Sequence, residues 1–244
     1  MTGPLDRGIG AATAVTNSQP RIAVLPDTTD SRLLADLTSH ASDLSEAAHT
    51  LASAFAAGQG SELWLPLTSH AVTAYVRPFI HSNVRTRLDM TPGIPAMRSD
   101  FQEVHDTVRE YRNKTIAHSQ SALATPFPLA ILDAAGRAVN VIAISLIHPM
   151  PMAMAERFSD LIAAMEDTVD HATQPVLERL RTSLRKATPA TISGWPQPEF
   201  LHATDDDFSA ATTRQPTPSF TAYWHVEPSP SEEASPGHEP FVSA

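Results

Sequence analysis

The feature that most constrains the fold is a helical spacing of apolar residues, which recurs in four segments between residues 30 and 186. In the first segment, which starts at Asp30 or Ser31, leucine, alanine and phenylalanine return every three or four residues until Gly58 and Gly60. This spacing places the apolar side chains on one face of an α-helix, with a good cap before it and a common helix stop after it. The chain therefore predicts a mainly α-helical core.

The second and third segments have the same spacing. The second extends from Ser61 to about Leu88 and contains Pro78, which should kink the helix because proline lacks a backbone N–H. The third is opened by the cap Ser99 and ends near His118.

A β-hairpin is predicted between the third and fourth helical segments. Residues 129–132 and 139–147 are short runs rich in aliphatic residues, and they flank the turn-forming sequence Asp133-Ala134-Ala135-Gly136. A helix is the competing interpretation of the second run. The fourth helical segment then begins at Met152, and Pro175 should kink it.

Composition divides the chain into three parts. Of its 21 prolines, nine follow residue 186, where the apolar periodicity also ends. Residues 30–188 hold 17 acidic and 14 basic residues, a net charge of −3, so the remaining −7 of the total −10 lies in the two terminal parts. We expect a flexible arm at 1–29, a helical domain at 30–187 and a disordered, acidic, proline-rich tail at 188–244.

The charge distribution limits the partners. A protein that grips duplex nucleic acid along its length needs a broad basic surface, which this chain lacks. Between Arg77 and Lys114, however, there are seven Arg or Lys against five Asp or Glu. A small basic cleft is therefore allowed, and a basic face is not.

Several other classes of site and location are not expected. The chain has no cysteine, which excludes disulfides and thiol chemistry, and it has no histidine spacing typical of a metal site. We therefore expect no metal and no other cofactor. The start of the chain does not resemble a signal peptide, and the longest apolar run, Val139 to Ile147, is too short to cross a membrane. We expect a cytoplasmic protein with no membrane partner.

The densest run of reactive side chains is Glu110 to Ser119, at the end of the third helical segment. Arg112 can hold a phosphate bidentately and stabilise negative charge that develops on it. His118 can take up or return a proton near neutral pH. These two residue types supply what phosphodiester cleavage needs without a metal.

Spacing alone does not settle this interpretation. Six residues correspond to about 240° around an ideal α-helix, so Arg112 and His118 do not share one face. Either the last turn must loosen or a second copy of the helix must supply one of the two. The structural alternative is a solvated arginine and a histidine that ends a helix beside its last carbonyl groups.

The sequence Arg112-Asn113-Lys114-Thr115-Ile116-Ala117-His118 resembles the signature of the HEPN superfamily, in which Arg, a polar residue and a later His follow one another. The aromatic Tyr111 before it and the Lys-x-x-Ala-His pattern resemble a branch found among abortive-infection and toxin-like bacterial proteins. The matched segment covers about ten residues. Some relatives carry a modified tyrosine two residues after the histidine, where this chain has Gln120, so nucleotidylation there is not expected.

The resemblance implies a four-to-five-helix bundle that acts as a metal-independent endoribonuclease, with an active site where two Arg-His helices meet in a homodimer. It implies catalytic roles for Arg112, His118 and Asn113, and phosphate binding by Lys114. Arg77 or Arg85 could reach the same phosphate cleft; the alternative for both is a solvated charged face. The implied partners are substrate RNA, a second copy of the chain, and an antitoxin or other protein bound through the C-terminal tail.

Two other functions remain open from the sequence. One is a HEPN-like bundle without catalysis that serves as a binding or regulatory module in toxin-antitoxin or phage-defence systems. The other is a helical scaffold whose acidic tail is the interacting element, because scattered aromatic residues in such a tail can fold on a partner.

Overall fold

The computed structural model describes residues 22–118 and 120–197, together with the backbone of residues 199–201 and 221–223. These residues divide into two compact units. The larger unit contains four long helices and one β-hairpin, and the smaller contains a short helix and two short strands. The prediction of a mainly α-helical chain with a small hairpin is confirmed.

Helix α1 (Thr29–Ala57) begins and ends for clear local reasons. Its N-cap is Thr28, not Asp30 or Ser31 as predicted, because the Thr28 hydroxyl accepts from the Ser31 backbone N–H while the Ser31 hydroxyl accepts from the Thr28 N–H. This reciprocal arrangement satisfies two N–H groups that the helix cannot pair internally. The helix ends at Gly58, whose φ of 84° suits glycine.

Helix α2 (Trp64–Val76) is shorter than predicted. The sequence predicts a kinked helix that continues to Leu88, but Pro78 ends it. The chain passes through a 3₁₀ turn at Arg77–Phe79 and becomes extended at Ile80. Proline cannot donate the N–H that would continue the hydrogen-bond ladder. A second 3₁₀ turn, Leu88–Met90, precedes the next helix.

Helices α3 (Ser99–Tyr111) and α4 (Met152–Leu184) complete the bundle. Ser99 is the first residue of α3 and not its cap, since Arg98 occupies the cap position without a side-chain hydrogen bond. Helix α4 contains Pro175 within its length. None of the described helices is both long enough and apolar enough to span a membrane.

The core of the larger unit is formed by apolar faces of α1, α2, α3 and α4. Trp64 and Tyr75 of α2 are fully buried, and the ring of Tyr75 meets that of Phe158 edge-on at 5.2 Å between centroids. The Trp64 indole N–H donates to the carbonyl oxygen of Met150 at 2.8 Å, which satisfies a buried donor.

The predicted hairpin is confirmed, and the helical alternative for its second strand is wrong. Strands β1 (Ala124–Leu132) and β2 (Ala138–Ile147) pair antiparallel, and the turn contains Gly136 with a φ of 78°. β1 starts five residues earlier than predicted and includes Pro126 and Pro128. Every residue of β2 is exposed, so the hairpin projects from the bundle.

The smaller unit contains the described parts of the two ends of the chain. After α4, residues Pro189–Ser193 form helix α5, and strand β3 (Glu199–Leu201) pairs parallel with strand β4 (Thr221–Tyr223). Regular structure thus occurs in parts of the tail for which the sequence predicts disorder. The same prediction for residues 202–220 and 224–244, and the arm predicted at 1–21, lie outside the described residues.

Candidate functional site

Helix α3 changes its winding at the Arg-His motif. Residues Arg112–Ile116 form a π-helical turn, in which the Ala117 N–H donates to the Arg112 carbonyl oxygen at 2.9 Å. A π-turn inserts one residue into an α-helix and is often found at functional sites. The last turn of this helix is therefore loosened, which is one of the two possibilities that the spacing of Arg112 and His118 left open.

The apolar sequence explains the π-turn. A continuing α-helix would place Thr115, four residues after Tyr111, on the side that faces the core. The wider turn brings the apolar Ile116 to that side instead, and both Tyr111 and Ile116 pack against the core. Arg112, Asn113 and Lys114 are then left on the outer side of the chain.

The side chains of the motif lie at the surface. Asn113, Lys114 and His118 are exposed and Arg112 is half-buried. Arg112 donates from Nη1 to Oδ1 of Asn113 at 3.1 Å, and Lys114 forms an ion pair with Glu110 one turn earlier. Eight arginines of the described residues pair with a carboxylate, and Arg112 is not among them. Its charge is available to an anion.

A cleft of about 920 Å³ adjoins the π-turn. Its polar lining includes Glu110, Lys114 and His148, and Tyr111 contributes to its apolar wall. Neither Arg112 nor His118 lines this cleft. Within one chain, the two proposed catalytic side chains therefore do not face the cleft that holds Lys114.

The phenol oxygen of Tyr111 is buried, and no described residue forms a hydrogen bond with it. Burial raises its pKa, and the nearby Ser69 side chain acts in the opposite direction. The ring of Tyr111 packs against the core of the bundle.

Arg77 and Arg85 are not directed to the third helix. Arg77 pairs with Asp43 and Glu46 of α1, and Arg85 pairs with Asp43 and donates from Nη1 to the Ser39 hydroxyl at 2.6 Å. Ser69 of α2 lies near Tyr111, and Arg77 follows the end of α2 eight residues later, about 12 Å further along by helical rise. These two arginines bind α1 instead of contributing to a cleft at the π-turn.

Two buried histidines lie away from the motif. His105 on α3 shares a hydrogen bond of 2.8 Å between its Nδ1 and the Tyr75 hydroxyl, and its ring meets Phe79 edge-on. Burial, with a smaller effect from Arg109, lowers the pKa of His105 to about 4. His40 on α1 has its Nε2 2.9 Å from the Thr86 carbonyl oxygen, and burial lowers its pKa as well. Both are neutral near pH 7.

His148 was not identified as a candidate from the sequence. It is exposed and lines the cleft with Lys114. Its backbone N–H donates to the Leu123 carbonyl oxygen at 2.8 Å, so it closes the base of the hairpin. The predicted hairpin could have indicated the position of His148. In an antiparallel pair the end of the second strand lies beside the start of the first, and here the first strand follows the motif.

Within the described ranges, no three His, Asp or Glu side chains are grouped so that they could hold a metal ion. Comparisons with protein-family models, with curated proteins and with solved structures find no match to this chain.

Proposed function

We propose that the protein is a metal-independent endoribonuclease of HEPN type that acts as a homodimer, in a toxin or phage-defence role. The observation that supports this most is the π-turn at the motif, where Arg112 has no carboxylate partner among the described residues and His118 is exposed beyond it. A guanidinium that can bind a phosphate and an accessible imidazole are two groups that suit cleavage by a ribose 2′-hydroxyl.

In the proposed reaction the 2′-oxygen attacks the adjacent phosphorus while its proton passes to a histidine. The 5′-oxygen leaves and receives a proton, which yields a 2′,3′-cyclic phosphate and a 5′-hydroxyl. His118 moves the protons, and Arg112 stabilises the charge on the phosphoryl oxygens. Asn113 orients the guanidinium through the hydrogen bond described above.

A dimer supplies what a single chain does not. Arg112 and His118 lie outside the cleft that contains Lys114, so the motif of a second chain completes the site. In a two-fold dimer, like residues of the two chains can meet at the axis and form one composite site. Lys114 and His148 then bind the RNA backbone beside it.

The test is cleavage of a mixed-sequence RNA by the purified chain in the presence of EDTA. Arg112→Ala and His118→Ala should each lower the rate by about 100-fold or more. Matched controls are Arg98→Ala, at the other end of α3, and His171→Ala, an exposed histidine of α4. If the wild-type chain binds RNA but does not cleave it, the protein is a binding module and not a nuclease. If cleavage persists in both alanine variants, the assignment of Arg112 and His118 as catalytic residues is wrong.

A further inference from the structure

The hairpin of β1 and β2 carries most of the large apolar side chains that are exposed in the described part of the chain. Eleven of the fifteen large apolar residues that are exposed in the described chain lie between Leu123 and Ile147. An isolated two-stranded hairpin is marginally stable in water, and contiguous apolar patches of this kind mark interaction sites. Something must cover this surface.

The register places the apolar side chains on one face. Phe127 pairs with Ile144 and Leu129 pairs with Ile142, so these four side chains point the same way, as do the flanking Ile131 and Leu146. We call this surface the apolar face; its six large side chains are each 38–46% exposed. The opposite face carries alanine, proline and serine over its middle, with Val141 as a large exposed member at 73% and with Leu132 and Ile147 towards its two ends.

The two free edges of the hairpin are less available for binding a partner than its apolar face is. Pro126 and Pro128 keep register with β2, so their nitrogens, which carry no hydrogen, point to the free side of β1. This blocks pairing of another strand there. On the free side of β2, the Val141 N–H already donates to Oδ1 of Asn140 at 2.8 Å. The face, more than an edge, needs a partner.

The chemistry of the hairpin narrows the choice of partner. Neither strand contains a charged residue, which disfavours nucleic acid and charged peptides. The turn carries one acid and one base, Asp133 and Arg137, and no salt bridge is formed by Arg137 among the described residues. Two copies of the turn are therefore complementary to each other in charge.

The exposed area suits a dimer. From their exposed fractions, the six side chains of the apolar face together offer roughly 450 Å² per copy, and Leu123 at the base of the hairpin adds roughly 70 Å². Two copies together would bury roughly 1,000 Å² of these side chains, which reaches the lower bound for a specific interface. A second copy thus has enough surface to cover.

We propose that two copies of the chain dimerise by packing the apolar faces of their β1–β2 hairpins against each other, around a two-fold axis that runs along the hairpin. This axis places Asp133 of one turn near Arg137 of the other. It also places both hairpin bases, and with them the two Arg112–His118 segments, at the same end of the dimer. The proposal does not depend on RNA cleavage, because it is measured from the state of association alone.

The first test is sedimentation of the full chain at tens of micromolar. The wild-type chain should be a dimer, Ile144→Lys should be a monomer, and Val141→Lys should remain a dimer although residue 141 is the more exposed of the two. Far-UV circular dichroism should show the helices intact in both variants, since the hairpin projects from the bundle. A monomeric wild-type chain, or equal dissociation by both lysines, overturns the proposal.

The second test uses the absence of cysteine from the chain. Leu129→Cys should be joined to a second copy by a short bifunctional thiol reagent, and Val141→Cys should not. A dimer made through the β2 edges would hold the two Leu129 positions three strand spacings apart, about 14 Å, and would not react. A dimer without this cross-link therefore overturns the facing arrangement, and binding of the monomer to phosphatidylcholine vesicles that Ile144→Lys abolishes would assign the face to lipid instead.

Discussion

The Arg112 guanidinium donates to Oδ1 of its neighbour Asn113 at 3.1 Å. The two side chains project from the outer side of the π-turn. The carbonyl oxygen of Arg112 accepts from the Ala117 N–H within this turn. Asn113 thus restricts the orientation of an arginine that pairs with no carboxylate in the part of the chain that the structure describes. This hydrogen bond gives Asn113, the polar residue of the motif, a role in orienting Arg112.

Loss of the hydrogen bond between Asn113 and Arg112 should lower the rate of RNA cleavage with little effect on RNA binding. Asn113→Ala removes the acceptor and should lower kcat by about tenfold, the value of roughly one hydrogen bond to a charged group, while KM changes little. Single-turnover cleavage assays measure this. Asn113→Asp is the informative companion, because it keeps an acceptor but neutralises the positive charge beside the phosphate; a rate equal to wild type in both variants contradicts the orienting role.

Lys114 should act on binding. Its ammonium group is exposed, pairs with Glu110 and lines the cleft. Lys114→Ala should weaken RNA binding and lower the slope of log K against log salt concentration by about one, since one phosphate contact is lost. Fluorescence anisotropy over a range of salt concentrations measures the slope.

Glu110→Gln gives the matched opposite change, because it removes the carboxylate that competes with phosphate for Lys114. RNA affinity should rise. Lys186→Ala, an exposed lysine after α4, serves as the control and should leave the slope unchanged. If the Lys186 and Lys114 variants behave alike, the cleft is not the RNA-binding surface.

The sequence predicted much of the fold because the relevant signals are local. The hairpin follows from Asp133 and Gly136 between two aliphatic runs, and α1 follows from its apolar period and Gly58. The π-turn was harder to predict from the sequence, although the spacing of five residues between the apolar positions Tyr111 and Ile116 fits a π-turn better than an α-helix. The end of α2 at Pro78 was missed because proline can either kink a helix or stop it, and contacts elsewhere decide between the two.

The positions of Arg77 and Arg85 could not be predicted by any local pattern. Their partners Asp43 and Glu46 lie more than 30 residues earlier and come close only when α1 packs on α2. A cluster of arginines after a helix predicts a basic patch as long as the carboxylates that pair with these arginines in the folded chain are unknown. The same limit applies to His40 and His105, whose burial depends on the packed bundle.

His105 should make stability depend on pH. Its pKa falls from an ordinary 6.5 to about 4 on folding, chiefly because of burial, so the unfolded chain binds the proton more tightly. The stabilisation is complete above pH 6.5 and is lost as the pH falls from 6.5 towards 4, by on the order of 3 kcal/mol. Urea unfolding at a series of pH values measures it.

The neighbours of His105 determine the control. Arg109 opposes its protonation and Asp106 and Asp89 favour it, while Tyr75 holds its Nδ1. His105→Gln can keep a hydrogen bond to Tyr75 without titrating, so its stability should change less than that of the wild type between pH 6.5 and 4. His171→Gln, at an exposed histidine, should retain the wild-type dependence; identical curves for the wild type and His105→Gln would contradict the assignment.

The ion pair of Asp43 with Arg85 should be the most costly electrostatic contact to break. The two side chains are only 12% and 11% exposed, and Asp43 also lies 3.0 Å from Nε of Arg77. Asp43→Ala leaves the Arg85 charge buried without its carboxylate, which should lower the free energy of unfolding by about 3–5 kcal/mol. Chemical unfolding at neutral pH measures the loss.

Glu178→Ala is the matched control, because Glu178 and Arg181 form an exposed pair one turn apart on α4 and should contribute less than about 1 kcal/mol. The double variant Asp43→Leu with Arg85→Met should recover much of the loss, since it removes both charges and fills the space with apolar atoms. A loss that is the same for Asp43→Ala and Glu178→Ala would show that water reaches the pair. In that case the segment from Ile80 to Arg87 is held to α1 by the remaining contacts, which include the 2.9 Å hydrogen bond between His40 and Thr86.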